Sequence, residues 1–224
     1  MVRPVLFFDL DDTLFDRTAA LTRWVARHVG DLAPEQLERV IELDDRGRRN
    51  RLLFAAGLIE EHGLARSVTE LAAAFPAELA AQVEREPGTR SALKRLAVPF
   101  RLAIVSNGGA AQRVKLARAG IADLIDHVII SGELGIAKPA PGIFEHALTW
   151  AACSPESCIF VGDDPINDIA AASAFGMTTV WRVRGTYPER IVHPTHRVQS
   201  ITELADMLLG VPSEITAEIS KVIQ

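Results

Sequence analysis

The chain has 224 residues, with 24 lysines and arginines against 29 aspartates and glutamates, a formal charge of −5, and 48% hydrophobic residues. That length fits one large domain or a core with an insert, and the apolar content excludes a disordered chain. The net negative charge argues against binding nucleic acid through bulk electrostatics.

Only Cys153 and Cys158 are present, with four residues between them. They match neither a disulfide framework nor a zinc ligand set, so a reduced, intracellular chain is expected. The N-terminal apolar run is interrupted by Asp9 and is too short for a secretory signal. No apolar run approaches the ~20 residues of a membrane span. A cytoplasmic setting, away from membranes, is expected.

The first predicted strand is Val5–Leu10, followed much later by strands at Leu102–Val105, His127–Ile130, Cys158–Val161 and Thr178–Val183. Each is nearly continuous in its apolar character, as in strands buried on both faces of a parallel sheet. Helical stretches separate the last four, at Ala110–Ala119, Gly142–Ala152 and Asp168–Phe175. Gly120 and Gly176 follow two of these, where a left-handed cap favours glycine. The repetition predicts an α/β fold, a doubly wound parallel sheet.

Between the first two strands the rhythm breaks. From Arg17 to Glu86 the patterns are helical, at Ala19–Val29, Pro34–Leu43 and Val68–Val83, and rich in Ala, Leu, Arg and Glu. An inserted helical domain at 17–86 is expected, with residues 1–16 and 87–224 forming the core. Pro87-Gly88 marks the return, followed by a helix at Thr89–Leu96.

Four segments carry candidate chemistry. The first strand runs into Asp9-Leu10-Asp11-Asp12-Thr13, and three carboxylates in four residues call for a neutralising cation. An oxygen-only donor set of this kind suits Mg²⁺. The second strand ends in Ser106-Asn107-Gly108-Gly109, a turn whose hydroxyl and amide can hold phosphoryl oxygens. Lys138-Pro139 lies just before a helix that Pro141 starts at its first position. The fourth strand runs into Gly162-Asp163-Asp164, with Asp168 opening the next helix. Each segment alone has a bland reading: an acidic loop, ordinary turn chemistry, a solvated lysine, a helix cap. In order, each after its own strand, they point to one crevice at the carboxyl ends of the sheet.

These segments resemble the four motifs of the haloacid dehalogenase superfamily of phosphohydrolases, in members with a helical cap of the C1 type between motifs one and two. The resemblance covers essentially the whole chain, and Gln112 and Lys115-Leu116 after Ser106-Asn107-Gly108 add to it. It implies a Rossmann-like core with strand order 5-4-1-2-3. It also implies a Mg²⁺-dependent phosphatase acting on a small phosphorylated metabolite, such as a nucleotide or sugar phosphate, through an aspartyl phosphate.

In that reading Asp9 is the nucleophile and Asp11 the general acid and base. Lys138 stabilises charge, and Ser106 with the amide of Asn107 binds the phosphoryl oxygens. Asp9, the backbone carbonyl of Asp11, and Asp163 hold the metal. Asp168 is a further ligand or a partner that orients Lys138, and Thr13 braces the loop. Asp164 is read as a solvated acid or a spare ligand.

Asp11 argues against a dehalogenase. A phosphomutase and a catalytically silent binding protein of the same fold are the alternatives, and a monomer or homodimer is expected. Arg46, Arg48, Arg49 and Arg51 are read as a charged helix face with local ion pairs, with contact to a second anionic group on the substrate as the alternative. Trp24, Trp150 and Trp181 are assigned to packing, and the six histidines show no ligand spacing.

Overall fold

A computed structural model describes residues 3–184 and 193–210. Six strands form one parallel sheet, β1 (Val5–Phe8), β2 (Arg101–Ser106), β3 (His127–Ile130), β4 (Cys158–Gly162), β5 (Thr178–Arg182) and β6 (His196–Val198). Their order is β3-β2-β1-β4-β5-β6, which is the expected 5-4-1-2-3 with a sixth strand added beside β5. The three residues of β6 carry no apolar run, and only the edge of β5 gives them a partner.

β1 is central: Phe8 pairs with Ile104 on one side and Val161 on the other. Side chains of a strand alternate between faces, and β1 divides accordingly. Leu6 and Phe8 enter one apolar cluster; Val5 and Phe7 enter the other, with Ile143, Phe144 and Ala147 of a covering helix. Both faces of the sheet are therefore dry, which is why its strands read as unbroken apolar runs.

Ten helices accompany the sheet among the described residues. α1 (Arg17–His28), α2 (Pro34–Asp44), α3 (Arg51–His62) and α4 (Val68–Ala80) fill the interval between β1 and β2 without a strand. α5 (Thr89–Leu96) leads into β2, and α6 (Ala111–Arg118) follows it. α7 (Ser131–Leu134) and α8 (Pro141–Ala151) follow β3; α9 (Ala171–Ala174) and α10 (Ile201–Leu209) follow β4 and β6. α1 starts where Asp16 accepts from the amide of Ala19 at 2.7 Å, and α4 starts in a Ser67–Glu70 capping box. The cluster containing Leu6 and Phe8 continues through Leu14 and Phe15 to Trp24, Phe54 and Phe75, joining the helical segment to the sheet by apolar contact.

Two expectations need correction, while α3 falls within the expected helical interval at a place where a charge cluster masks its start. Asp168 does not open a helix: it lies inside a wide π-type turn at Pro165–Ala170, and Asp164 is the cap, accepting from the amides of Ile166 and Asn167. The arginine cluster is not a helix face. Asp45, Arg46 and Gly47 all have positive φ, of 48°, 53° and 83°, so α2 ends in a left-handed turn, and Arg51 begins α3.

Candidate active site

The carboxyl ends of β1, β2 and β4 open into a cavity of about 300 Å³. Asp9 leaves the sheet directly after β1, its amide donating to the carbonyl of Val161 at 2.9 Å. Asp12 then takes a left-handed conformation, φ 56°, and turns the chain out of the sheet. The first strand therefore stops at Phe8 rather than Leu10.

The Lys138 ammonium, buried, donates to Asp9 Oδ1 at 2.6 Å and to Asp168 Oδ1 at 2.7 Å. Burial alone would lower its pKa, but the charges of Asp168 and Asp9 outweigh that and hold it above the ordinary lysine value. Asp168 thus shares the Lys138 ammonium with Asp9. Gly162 makes that possible: a Cβ there would stand 2.3 Å from Asp168 Oδ2.

Asn107 ties the second segment to the third. Its Nδ2 donates to the carbonyl of Lys138, and its Oδ1 accepts from the amide of Lys138, both at 2.8 Å. Ser106 is buried, and its hydroxyl accepts from Gln112 Nε2 at 2.7 Å. The same Nε2 donates to Asp11 Oδ2 at 2.7 Å.

Asp11 is further held by Lys115 Nζ at 2.7 and 2.8 Å, with Arg17 Nε 3.8 Å away. Burial pushes its carboxyl up, but Lys115 and then Arg17 more than compensate and hold it below the usual carboxylate range. The pairing of Lys115 with Asp11 was not derivable from the sequence, where the two lie 104 residues apart.

Asp9, Asp163 and Asp168 can each direct an oxygen so that all three lie within 4.8 Å of one another. Burial pushes Asp9 up to about 7, against the pull of Lys138 and with a push from Asp168. Burial also raises Asp163 well above its ordinary value, and the neighbouring charges of Asp9, Asp168 and Asp12 raise it further. Three buried carboxylates with one ammonium among them fit a hard divalent cation, which takes oxygen donors and whose charge would relieve this mutual repulsion. The Asp11 side chain stands outside this group. Thr13 Oγ1 reaches Asp163 Oδ1 at 3.5 Å, and Trp181 Nε1 donates to the carbonyl of Asp163 at 2.9 Å.

The helical segment contributes the opposite wall. Asp44, buried, is its anchor: it accepts a bidentate pair from Arg17, a hydrogen bond from Arg51 at 2.9 Å and one from the amide of Gly47 at 2.9 Å. Burial alone would raise its pKa; Arg17 more than offsets this and holds the carboxylate below its ordinary range. Asp44 thereby closes the left-handed turn, in which the two non-glycine residues cost on the order of 1–2 kcal/mol each.

From that turn Arg46 Nη1 donates to Asp163 Oδ2 at 3.1 Å, and Arg48 Nη1 donates to Asp164 Oδ2 at 3.2 Å. Arg49 points elsewhere, donating to the carbonyl of Leu43. Phe75, Pro76 and Leu79 of α4 complete the wall. A basic cluster was visible in the sequence; that it meets the fourth acidic segment was not.

Residues 4–176 match the haloacid dehalogenase-like hydrolases as a family. The chain belongs to that family. A glyceraldehyde 3-phosphate phosphatase of Pyrococcus furiosus is 33% identical, with 91% of each chain covered. A phosphoserine phosphatase of Thermus thermophilus is 44% identical over 39% of this chain and 36% of its own length. Among solved structures, the HAD-hydrolase YfnB of Bacillus subtilis, bound to magnesium, superposes with a TM-score of 0.76 at 22% identity, covering 93% of this chain and 99% of that one. At that identity the likeness speaks for the fold alone. The expectation of a hydrolase of the phosphatase kind agrees with the family and with its named phosphatase relatives. No helix among the described residues is long and apolar enough to cross a membrane.

Proposed function

We propose that the chain is a Mg²⁺-dependent phosphomonoesterase acting on a compact phosphorylated metabolite through an aspartyl phosphate on Asp9. The observation that carries this reading is the buried contact of Lys138 with both Asp9 and Asp168 beside Asp163, at the ends of strands adjacent in the sheet. Relatives named as phosphatases support the substrate class, and a cavity of about 300 Å³ lies at the small end for ligand sites.

Asp9 attacks phosphorus as a carboxylate, which needs no base once its charge is compensated. Lys138 sets Asp9's orientation and places a positive charge beside the transferring group. The Ser106 hydroxyl and the amide of Asn107 hold phosphoryl oxygens, with Asn107's side chain fixing the turn against Lys138. Asp9, the carbonyl of Asp11, Asp163 and Asp168, the last directly or through water, would hold the cation, which supplies charge neutralisation and alignment for in-line transfer. Asp11 is poised as a base for the water that cleaves the acyl phosphate. To donate a proton to the leaving alcohol in the first half, it must exchange its bond to Lys115 for a proton.

Residues 17–86 serve in this reading as a helical cap on the core of residues 1–16 and 87–224, closing the cavity from water and strengthening the field inside it. The test is phosphate release from a panel of phosphate esters with Mg²⁺ and with a chelator. Release that depends on the cation is expected. No release with any divalent metal would leave a binding protein, and transfer to a sugar hydroxyl instead of water would make it a phosphomutase.

A further inference from the structure

The two thiols of the chain lie in contact at the end of the sheet away from the cavity. Cys153 follows α8 and Cys158 opens β4, and their Sγ atoms are 3.4 Å apart. Cys158 is buried and pairs in register with Val5 of β1, whereas Cys153 is half-buried. Val5 pairs with Arg101 on its other side. Arg101, Val5 and Cys158 therefore stand abreast at the start of their strands, opposite the ends that carry Asp9 and Asp163.

The backbone holds the sulfurs together. Ala152 has φ 53°, a conformation that residues with a Cβ avoid, and its amide donates to the carbonyl of Leu148 at 3.1 Å. α8 thus ends in a left-handed cap, and a single helical turn at Pro155–Ser157 leads into β4. A disulfide places its sulfurs about 2 Å apart, so closing the pair takes a shift of roughly 1.4 Å, on the scale of a side-chain rotation. The two thiols differ in setting. Cys153 is the sulfur that an outside reagent meets first. Burial pushes the Cys158 thiol up to about 12, and its hydrogen bond and charge contact with Cys153 add to the rise. Arg101 pulls the other way, its guanidinium donating to the carbonyl of Ala151 at 2.9 Å. Once Cys153 is bonded to another sulfur it carries no charge, and that part of the rise is lifted.

We infer that Cys153 and Cys158 form a reversible thiol–disulfide site, with Cys153 the entry point for a low-molecular-weight disulfide and Cys158 the resolving thiol. The Cys153 thiolate attacks one sulfur of the reagent RSSR, forming a mixed disulfide and expelling one RS⁻. Cys158 gives its proton to solvent and attacks Cys153 Sγ, which forms the internal disulfide and expels the second RS⁻. The chain loses two electrons and two protons, and the reagent takes them up as two RSH. Excess thiol reverses both steps, so the pair rests as thiols in a reducing setting and closes under oxidation. The closed form fastens the end of α8 to the start of β4. Nothing in this inference depends on the phosphatase reading.

The test uses the full chain, reduced, freed of reductant and incubated with oxidised glutathione, then quenched in acid, alkylated in denaturant and weighed intact. Wild type is expected to end two hydrogens lighter, as a monomer with neither cysteine alkylated, and to recover both thiols with dithiothreitol. Cys158→Ser lacks the resolving thiol and should stop at one glutathione adduct on Cys153. Cys153→Ser keeps only the buried thiol and should react at least about tenfold more slowly than wild type. A glutathione adduct as the end product in wild type, a disulfide between two chains, or no reaction of wild type overturns the site. Reaction of Cys153→Ser at the wild-type rate overturns the order of the two sulfurs. Should Cys158→Ser misfold by circular dichroism, wild type and Cys153→Ser still decide.

Discussion

The strand-end wall of the cavity and the helical wall facing it are both charged, but they hold their charges in place differently. On the strand side, Asp9 and Asp163 leave the sheet directly after β1 and β4, Asp9 with its amide donating to the carbonyl of Val161 and Asp163 with its carbonyl accepting from Trp181 Nε1. Removing one such side chain alters the chemistry and leaves the scaffold. On the helical side, the arginines depend on one buried carboxylate, Asp44, which fixes Arg17, Arg51 and the turn between α2 and α3 at once. The strand side separates function from stability, whereas the helical side binds the two together.

The largest expected effect falls on the strand side. Asp9→Asn keeps the shape and removes the attacking charge, so turnover of a phosphate ester should fall by about a thousandfold or more, roughly 4 kcal/mol of barrier. The thermal unfolding midpoint should not fall. A rate above about a tenth of wild type would remove Asp9 as nucleophile, with mass measurement excluding reversion by deamidation.

Asp44→Ala should do the reverse. It removes the bidentate partner of the buried Arg17 guanidinium and leaves it only the 3.8 Å contact with Asp11, a loss on the order of 3–5 kcal/mol, read as a drop of roughly 10 °C in the unfolding midpoint. Acid should expose the same dependence. Because the folded pKa of Asp44 lies below its unfolded value, its contribution is complete above about pH 4 and is lost as pH falls through the folded pKa. The difference in stability between wild type and Asp44→Asn should therefore shrink on acidification; a difference that grew would refute the ion pair as its source.

Asp163→Ala returns to the strand side with a smaller effect, about tenfold weaker Mg²⁺ binding by calorimetry, or ~1.4 kcal/mol. Unchanged affinity would take Asp163 out of the cation site. The smallest effect is expected at the surface, where Arg113 pairs with Glu133 in the open. Arg113→Ala should leave the unfolding midpoint within about 2 °C of wild type.

Much of this architecture was legible beforehand because the sheet imposes its signature on the sequence. A strand dry on both faces must be apolar throughout, so β1 to β5 stand out, and a change to polar residues at their ends marks Asp9, Ser106 and Asp163 as facing one edge. Helix signals worked where a cap or proline was present, as at Pro34 and Pro141. They failed at Arg51, where the chain enters α3 from a left-handed turn that no local pattern announces.

By itself, then, the sequence determined the layers of the fold, the parallel strands, and which residues lie at the strand ends, since these follow from local periodicity and burial. The family resemblance added the strand order, which the pairing of β1 with β2 and β4 bears out. Only the tertiary structure decided who pairs with whom: Lys115 with Asp11, Asp44 with Arg17 and Arg51, Arg46 with Asp163, Arg48 with Asp164. The physical reason is that a charge carries no directional signal along the chain. An arginine reads the same whether it faces solvent or a carboxylate 117 residues away, and the choice is made only when folding brings the two walls together and removes the water between them.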